Sequence, residues 1–231
     1  MMVNRISVLC LDMAGTTVRD DDTVMNAFSA AITSRNLPVA GYNAAMHYAK
    51  STMGQSKIEV FRAILGDEDE AQAANTVFEA NYGASVAAGE LSPIPGAAEL
   101  FAACRHADIR VCLSTGFSPV TRDAIVDALG WGELVDLFLS PADAGRGRPM
   151  PDMPLTALLR LGGDSVSSLA VVGDTPADVE CGLRAGAGLV AGVLTGSSTA
   201  EQLTAVPAAT GLPGSPVILG SVAELPAHLG L

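Results

Sequence analysis

The stretch LCLDMAGTTV, residues 9–18, decides how this chain begins to fold. Its apolar start is typical of a buried parallel strand. The strand ends on a carboxylate, Asp12, and the chain then turns through Ala14 and Gly15, where glycine allows a tight turn that exposes backbone amides to an anion. Asp12 could be a nucleophile or a ligand of a hard metal ion. It could equally be an ordinary cap of the following turn, and the stretch alone leaves both alternatives open.

Similar apolar runs recur along the chain and predict a parallel sheet. After a first run at 7–11, they occupy residues 109–113, 137–139, 169–172, 189–194 and 217–219. Ser118-Pro119 and Thr175-Pro176 each predict a helix start, and Gly130 and Gly186 predict the corresponding helix ends. Strands that alternate with helices indicate an α/β protein, here a Rossmann-like core of three layers with the parallel sheet in the middle.

One long segment breaks this alternation. Residues 19–87 show only helical periodicity, with apolar positions spaced three and four apart. The apolar stripes are Val24, Ala27, Phe28, Ala31 and Ile32, then Ile58, Phe61 and Leu65, then Ala74, Val77, Phe78 and Tyr82. We therefore predict a helical cap domain at 19–87, inserted into a core formed by residues 1–18 and 88–231. Residues 205–216 are rich in Ala, Gly and Pro and predict a loop.

Composition excludes several classes of partner. The chain is 49% hydrophobic and 16% charged, which is typical of a folded globular protein. It has 25 acidic and 13 basic residues, and the resulting net charge of −12 repels nucleic acid and anionic membranes. The four cysteines form no CxxC pair, so we expect buried, reduced thiols in a cytoplasmic protein. There is no signal-peptide pattern, and no apolar run approaches the ~18 residues of a membrane span.

Polar motifs follow several of the predicted strands. Ligands of parallel α/β sheets bind beyond the carboxyl ends of the strands, so we expect these motifs to meet there. The segment at 114–116 offers hydroxyl and amide donors for a phosphoryl oxygen, and the guanidinium of Arg148 fits phosphate. Asp174 ends a strand and Asp178 lies in the first turn of the next helix, so the two could bind Mg²⁺. Each motif also has a plain alternative: a turn, a solvated loop or, for Asp178, a helix-capping role.

The ordered set Asp12, Thr115-Gly116, Arg148, Gly173-Asp174 and Asp178 resembles the four motifs of the haloacid dehalogenase superfamily, with a helical cap inserted after the first motif. The resemblance covers essentially the whole chain. It implies that Asp12 is a nucleophile that forms an aspartyl-phosphate and that Thr115 binds the transferred phosphoryl group.

The same resemblance implies a Mg²⁺ cofactor. Its ligands, direct or through water, would be Asp12, Asp174, Asp178 and the carbonyl of Ala14. Arg148 would take part in catalysis. The residues expected to bind substrate are Gly15, Thr16, Gly116 and Met53.

Position 14 separates this chain from the phosphatases of the superfamily. Those enzymes have an aspartate there, which protonates the leaving alkoxide, whereas this chain has Ala14. The DxAGTT form of the first motif, together with arginine rather than lysine at position 148, resembles the phosphonatase-like branch close to phosphonoacetaldehyde hydrolase. That branch cleaves a carbon–phosphorus bond, after a lysine of the cap forms a Schiff base with an aldehyde substrate.

Lys57 is the candidate for that lysine, because Met53-Gly54 precede it with the spacing of the phosphonatase pattern. Ser56 and Glu59 predict a capping box that places Lys57 at the first helical position. The positive end of the helix would lower the pKa of the ammonium there and favour the nucleophilic amine. The alternative is a solvated surface lysine at a helix start.

Three positions depart from phosphonoacetaldehyde hydrolase and leave the substrate open. Met13 replaces a tryptophan, Val60 a histidine and Phe117 a tyrosine. The favoured hypothesis is a Mg²⁺-dependent hydrolase that removes a phosphoryl group from a small phosphonate or phosphorylated compound. The alternatives are a phosphate monoesterase similar to phosphoglycolate phosphatase and a non-catalytic ligand-binding relative. The oligomeric state stays open, with a homodimer as one alternative.

Overall fold

The structure, a computed structural model, describes residues 5–206 and 215–231 as a parallel sheet with helices on both faces and a helical insert after the first strand. The strands are β1 (Val8–Asp12), β2 (Arg110–Ser114), β3 (Leu137–Leu139), β4 (Leu169–Gly173), β5 (Leu189–Val193) and β6 (Val217–Leu219). The helices are α1 (Thr23–Thr33), α2 (Val39–Ser51), α3 (Lys57–Leu65), α4 (Glu68–Ala87), α5 (Ala97–His106), α6 (Pro119–Leu129), α7 (Pro141–Ala144), α8 (Asp152–Arg160), α9 (Pro176–Ala185), α10 (Ala200–Thr204) and α11 (Leu225–Leu229). Most of the loop predicted at 205–216 lies outside the described residues.

The sheet has the order β3-β2-β1-β4-β5-β6, and every neighbouring pair is parallel. The predicted α/β fold is therefore confirmed. Two strands end one residue later than their apolar runs, because Asp12 and Ser114 still pair with each other in the β1–β2 ladder. A hydropathy pattern cannot locate a strand end that is occupied by a polar residue. The consequence is that β1 and β2 carry their polar side chains to the same edge of the sheet.

The side chains of β1 show why the sheet is the middle layer. Val8 and Cys10 pack on one face with α8, whereas Leu9 and Leu11 pack on the other face with α5. This alternation with a period of two residues is that of a strand buried on both sides. The free cysteines at 10, 104, 112 and 181 are all buried, as the sequence predicts.

The insert after β1 consists of α1 to α4. The first predicted stripe, Val24 to Ile32, is the buried face of α1. No apolar stripe in the sequence predicted helix α2. Only Ala45 and Ala49 of that helix are buried, and such small side chains give a weak hydrophobic periodicity. The helices fall within the predicted cap, residues 19–87, while its boundaries stay a prediction.

Two connections join the insert to the sheet, and they pair with each other. Val18 and Pro93 form an antiparallel bridge. The amide of Arg19 donates to the carbonyl of Ser92 (2.9 Å), and the amide of Ile94 donates to the carbonyl of Thr17 (2.8 Å). The insert therefore leaves and re-enters the core through a short two-stranded ladder and not through independent loops.

An aromatic cluster holds the insert together and attaches it to the core. The rings of Phe28, Phe61 and Phe78 lie 4.8 to 6.0 Å apart between centroids. Tyr82 extends the cluster to Phe117 of the core at 4.5 Å, and Phe78 lies 6.0 Å from the same ring. Such contacts add about 0.5–1.5 kcal/mol per pair to the burial of the rings.

We expect Phe78→Ala to lower the free energy of unfolding by about 3–5 kcal/mol, because it removes the ring at the centre of this cluster and leaves a cavity. Chemical denaturation at constant m-value measures the change. The control is Val39→Ala at an exposed position of α2, which should change the free energy by about 0.5 kcal/mol or less. A loss below about 1 kcal/mol for Phe78→Ala would show that the cluster does not stabilise the insert.

Candidate active site

A cavity of about 440 Å³ lies between the insert and the carboxyl ends of the strands. Nine of the residues predicted to form the site line it: Asp12, Ala14, Gly15, Met53, Lys57, Thr115, Gly116, Arg148 and Asp174. The other two, Thr16 and Asp178, do not line it but contact residues that do. The hydroxyl of Thr16 donates to Oδ1 of Asp174 (3.0 Å), and Asp178 pairs with Arg148.

Three buried carboxylates meet beside this cavity. Each of Asp12, Asp174 and Asp178 has one oxygen within 4.8 Å of an oxygen of the other two. Burial raises the pKa of the Asp12 carboxyl to about 7, with the like charge of Asp178 adding to the effect and Arg148 opposing it. Burial and the charges of the other two carboxylates raise the pKa of Asp174 well above its ordinary value. Negative charge is therefore concentrated where water cannot screen it.

Arg148 is the buried cation that partly neutralises this cluster. Its guanidinium pairs with Oδ1 of Asp12 (2.6 Å) and with Oδ1 of Asp178 (2.9 Å). It also donates to the carbonyl and the hydroxyl of Ser114 (both 2.8 Å) and to the carbonyl of Gly54 (3.2 Å). One side chain thus contacts the ends of β1 and β2, the start of α9 and the insert.

Asp178 has both of the roles that the sequence left open. It completes a capping box with Thr175 at the start of α9, where its Oδ2 accepts from the amide (3.1 Å) and the hydroxyl of Thr175. Its other oxygen, Oδ1, pairs with Arg148. Capping fixes the carboxylate on a rigid helix start, so it also fixes the position of the guanidinium.

The backbone around Asp174 is shaped for its carboxylate. Gly15 has a φ of +86°, and a Cβ built there would lie 2.6 Å from Oδ2 of Asp174. A Cβ on Gly196 would lie 1.8 Å from the same oxygen. Larger residues at either position would displace the carboxylate. The glycine at position 15 is therefore needed both for its backbone conformation and for this close approach.

The carboxylate cluster fits a hard divalent cation. All three side chains offer oxygen, the donor that Mg²⁺ prefers. Three ionised carboxylates against one guanidinium leave two formal negative charges, which a divalent ion would balance. Burial is the main cause of the raised pKa of Asp174, and the charges of Asp12 and Asp178 add to it. Asp12, Asp174 and Asp178 could hold such an ion, and Ala14 lies on the same cavity wall.

The segment after β2 presents donors to the same space. Ser114 is buried at the strand end, where its hydroxyl accepts from Arg148. Thr115 is also buried, and its Oγ1 accepts from the amide of Phe117 (3.2 Å). A hydroxyl oriented by such an acceptance keeps its own hydrogen for another acceptor in the cavity.

Lys57 is buried, with 6% of its surface exposed, so the alternative of a solvated surface lysine is wrong. Its Nζ lies 5.2 Å from the ring centroid of Phe117 and 5.6 Å from that of Phe28. Within residues 5–206 and 215–231, no carboxylate oxygen lies within 4.0 Å of it. Burial lowers the pKa of the Lys57 ammonium, and Arg148 acts in the same direction, while Asp12 and other carboxylates oppose the shift.

The predicted capping box before Lys57 is wrong. Ser56 is the N-cap residue of α3, but its side chain makes no capping hydrogen bond. Glu59 pairs instead with Arg62 (2.6 Å) on the exposed face of the helix. The amide of Lys57 donates to the carbonyl of Gly116 (3.2 Å), so the core supplies a partner that the local sequence could not reveal. Lys57 still occupies the first helical position, as predicted.

The insert is docked closely on the core around the cavity. A Cβ on Gly116 would lie 2.3 Å from the carbonyl oxygen of Gln55, so only glycine permits this approach. On the far side, Glu79 of α4 accepts from the amide and the hydroxyl of Ser118 (3.4 and 2.6 Å) and from the hydroxyl of Thr121. One carboxylate of the insert thus caps the start of α6 in the core.

Several residues of the cavity wall were not predicted from the sequence, among them Asp20 and Thr195. Asp20, in the connection that leads into the insert, is half-buried and accepts from the amide of Val24 (3.1 Å). The sequence offered only an acidic stretch there, which is typical of a solvated turn. Thr195 follows β5, and its hydroxyl donates to the carbonyl of Gly15 (2.6 Å). The only sequence feature that pointed to Thr195 was its position just after a predicted strand.

These features define a class of protein: an α/β protein with a parallel sheet and a capped acidic site at the strand ends. A model of the haloacid dehalogenase-like hydrolases matches residues 6–186, and the chain belongs to that family. Phosphonoacetaldehyde hydrolase from Parabacteroides distasonis is 28% identical over 97% of this chain and 96% of the relative. The probable phosphatase IndB from Dickeya dadantii is 26% identical over 86% of this chain and 85% of the relative.

Comparison with solved structures supports the fold. A hydrolase from Pseudomonas syringae matches with a TM-score of 0.82 at 20% sequence identity, over 97% of this chain and 98% of the other. Of the helices in the described part of the chain, none combines the length and apolarity needed to cross a membrane.

We expect Mg²⁺ to raise the melting temperature at pH 8. A concentration of 100 times Kd adds about 2.7 kcal/mol of stability, or about 5–10 °C for a chain of this size. The rise should be smaller at pH 5.5, because the raised pKa values of Asp12 and Asp174 mean that protons then compete for the ligand oxygens.

Differential scanning calorimetry of the wild type and of Asp174→Asn tests this expectation. The variant should melt at a similar or higher temperature without Mg²⁺, since it loses a buried like charge, but should lose the response to the ion. The exposed Asp127→Asn is the matched control and should keep the full response. An equal response in Asp174→Asn and the wild type would remove Asp174 from the metal site.

Proposed function

We propose that this chain is a Mg²⁺-dependent phosphohydrolase of the phosphonatase-like branch. It would transfer a phosphoryl group from a small phosphonate or phosphorylated compound to water through Asp12. The observation that carries this proposal is the shared cavity, lined by a carboxylate at a strand end, a threonine donor and a buried lysine that forms no ion pair with any described residue.

Asp12 is assigned as the nucleophile. One of its carboxylate oxygens pairs with Arg148, and we assign attack on phosphorus to the other. The attack breaks the bond between phosphorus and the leaving group and forms an aspartyl-phosphate, which water then hydrolyses. Arg148 supports this step because its charge opposes the rise that burial causes in the pKa of Asp12 and so favours the ionised carboxylate.

The phosphoryl oxygens are assigned to donors on the core side of the cavity. Thr115 can donate its hydroxyl hydrogen, and Gly116 lines the same cavity, whereas the amide of Gly15 donates to the carbonyl of Val18 (2.7 Å). Thr16 contributes indirectly, because it holds the carboxylate of Asp174. Mg²⁺ bound by Asp12, Asp174 and Asp178 would neutralise charge on the phosphoryl oxygens. Preorganised donors and charges of this kind are the main source of rate enhancement in phosphoryl transfer.

Lys57 is assigned to the other end of the substrate. Its neutral amine would attack a substrate aldehyde with loss of water, and the resulting protonated imine would accept the electron pair of the breaking carbon–phosphorus bond. Burial favours the neutral amine that this step requires. A carbon leaving group of this kind needs no acid at position 14, in agreement with Ala14. Met53 lines the cavity close by in sequence and would contact the same end of the substrate.

A phosphate monoesterase is the second candidate function. The similarity to the probable phosphatase from Dickeya dadantii favours it. In that reaction Lys57 would bind the substrate as a cation and form no covalent bond. A non-catalytic ligand-binding role is disfavoured because the nucleophile and the acidic cluster are both complete. A homodimer stays a prediction.

We expect Asp12→Asn to lower the Mg²⁺-dependent hydrolysis of an activated aryl phosphate by about 10³-fold or more, because an amide is a poor nucleophile toward phosphorus. Phosphate release measures the rate, and circular dichroism checks the fold. The exposed Asp127→Asn should hydrolyse the ester at the wild-type rate. Equal rates for Asp12→Asn and the wild type would contradict the enzyme proposed above.

We expect borohydride, added together with an aldehyde-bearing phosphonate, to trap a covalent adduct at Lys57. Lys57→Arg should give no adduct and no phosphate, because a guanidinium keeps the charge but cannot form the imine. Peptide mass mapping locates the adduct. The matched control is Lys50→Arg at the exposed lysine of the same cavity, which should retain both adduct and turnover. Substantial turnover by Lys57→Arg, with no adduct in the wild type, would favour the monoesterase.

A further inference from the structure

Asp20 is a carboxylate of the cavity wall to which no step has yet been assigned. It lies in the short connection between β1 and α1 and lines the same cavity as Asp12, Ala14 and Lys57. Its side chain is half-buried, whereas its neighbours Asp21 and Asp22 are exposed. It therefore differs from a solvated acidic turn.

The surroundings of Asp20 suit a group that exchanges a proton. Burial raises the pKa of the Asp20 carboxyl, while the amides of Val24 and Thr23 and the charge of Lys57 oppose this effect. The protonated form is therefore more accessible than in an ordinary surface aspartate. Asp20 is also not a member of the carboxylate cluster, so a metal ion bound there would leave its proton in place.

We propose that Asp20 is the proton donor to the leaving group, in place of the acid that is missing at position 14. This inference rests on the proposed function, because it assumes attack by Asp12. With a phosphate ester, the electron pair of the breaking P–O bond goes to the leaving oxygen, which takes the proton of Asp20. Water then hydrolyses the aspartyl-phosphate, and its proton returns to the Asp20 carboxylate.

Asp20 also supplies the proton when the leaving group is a carbon atom. When the carbon–phosphorus bond of an imine breaks, its electron pair forms an enamine, and the enamine carbon takes the proton of Asp20. Hydrolysis of the imine by water then releases the aldehyde and the amine of Lys57. Asp20 belongs to the connection that leads into the insert, so the acid comes from a different segment of the chain than the first motif.

A purely structural role of Asp20 must be distinguished from proton donation, because Oδ1 of Asp20 accepts a hydrogen bond from the amide of Val24 in the first turn of α1. Asp20→Asn distinguishes the two roles. Asparagine keeps an oxygen acceptor for that amide and serves well at helix starts, but it has no acidic proton. Asp21→Asn, at the exposed neighbour, is the matched control.

The experiment measures kcat/KM for aryl and alkyl phosphates whose leaving groups span a wide range of pKa values, with Mg²⁺. We expect Asp20→Asn to hydrolyse the most activated ester at nearly the wild-type rate and to lose about 10²–10⁴-fold on the poorest leaving groups. The dependence of rate on leaving-group pKa should therefore be steeper in Asp20→Asn than in the wild type and in Asp21→Asn.

An unchanged dependence in Asp20→Asn would overturn the inference, and so would an equal loss on every ester, which indicates a structural role. Melting temperatures of the three proteins check that α1 remains folded. Failure of the proposed function would appear separately, as hydrolysis of the most activated ester that does not depend on Asp12.

Discussion

The buried charge of Arg148 is the interaction on which the site depends. Removing one partner of such a buried pair typically costs 3–5 kcal/mol, because the other charge is left without compensation. Here the guanidinium has two carboxylate partners, Asp12 and Asp178, and it also contacts the end of β2 and the insert. Four separate segments of the chain are thus positioned around one cation. The strand ends provide the carboxylates, but this arginine fixes their distances.

The insert makes the surroundings of the site less polar and shields them from water. Phe28 and Phe117 flank the ammonium of Lys57, and burial raises the pKa of the neighbouring Tyr82 hydroxyl far above its ordinary value. Charges interact more strongly in such surroundings than in water. The core alone would present an acidic cluster open to solvent, and the insert supplies an apolar wall that strengthens the interactions of those charges.

The features predicted correctly from the sequence are those that depend on a local residue pattern. Asp12 and Asp174 were located because apolar runs mark buried strands and the ligand-binding edge of a parallel sheet is known. Burial of Lys57 could not be read in this way, because it arises from contact between the insert and a core loop more than fifty residues away. Asp20 resembled a solvated acid for the same reason. Thr195 follows the fifth strand in no recognisable motif, and only the folded chain brings it to Gly15.

The paired connections at Val18 and Pro93 have a kinetic consequence. A catalytic group on a separate molecule would have to find the cavity by diffusion, and a group on one flexible tether would search a large volume. Two connections that hydrogen-bond to each other restrict the positions that the insert can take relative to the sheet. The amine of Lys57 is therefore held at a high effective concentration in the cavity that Asp12 also lines.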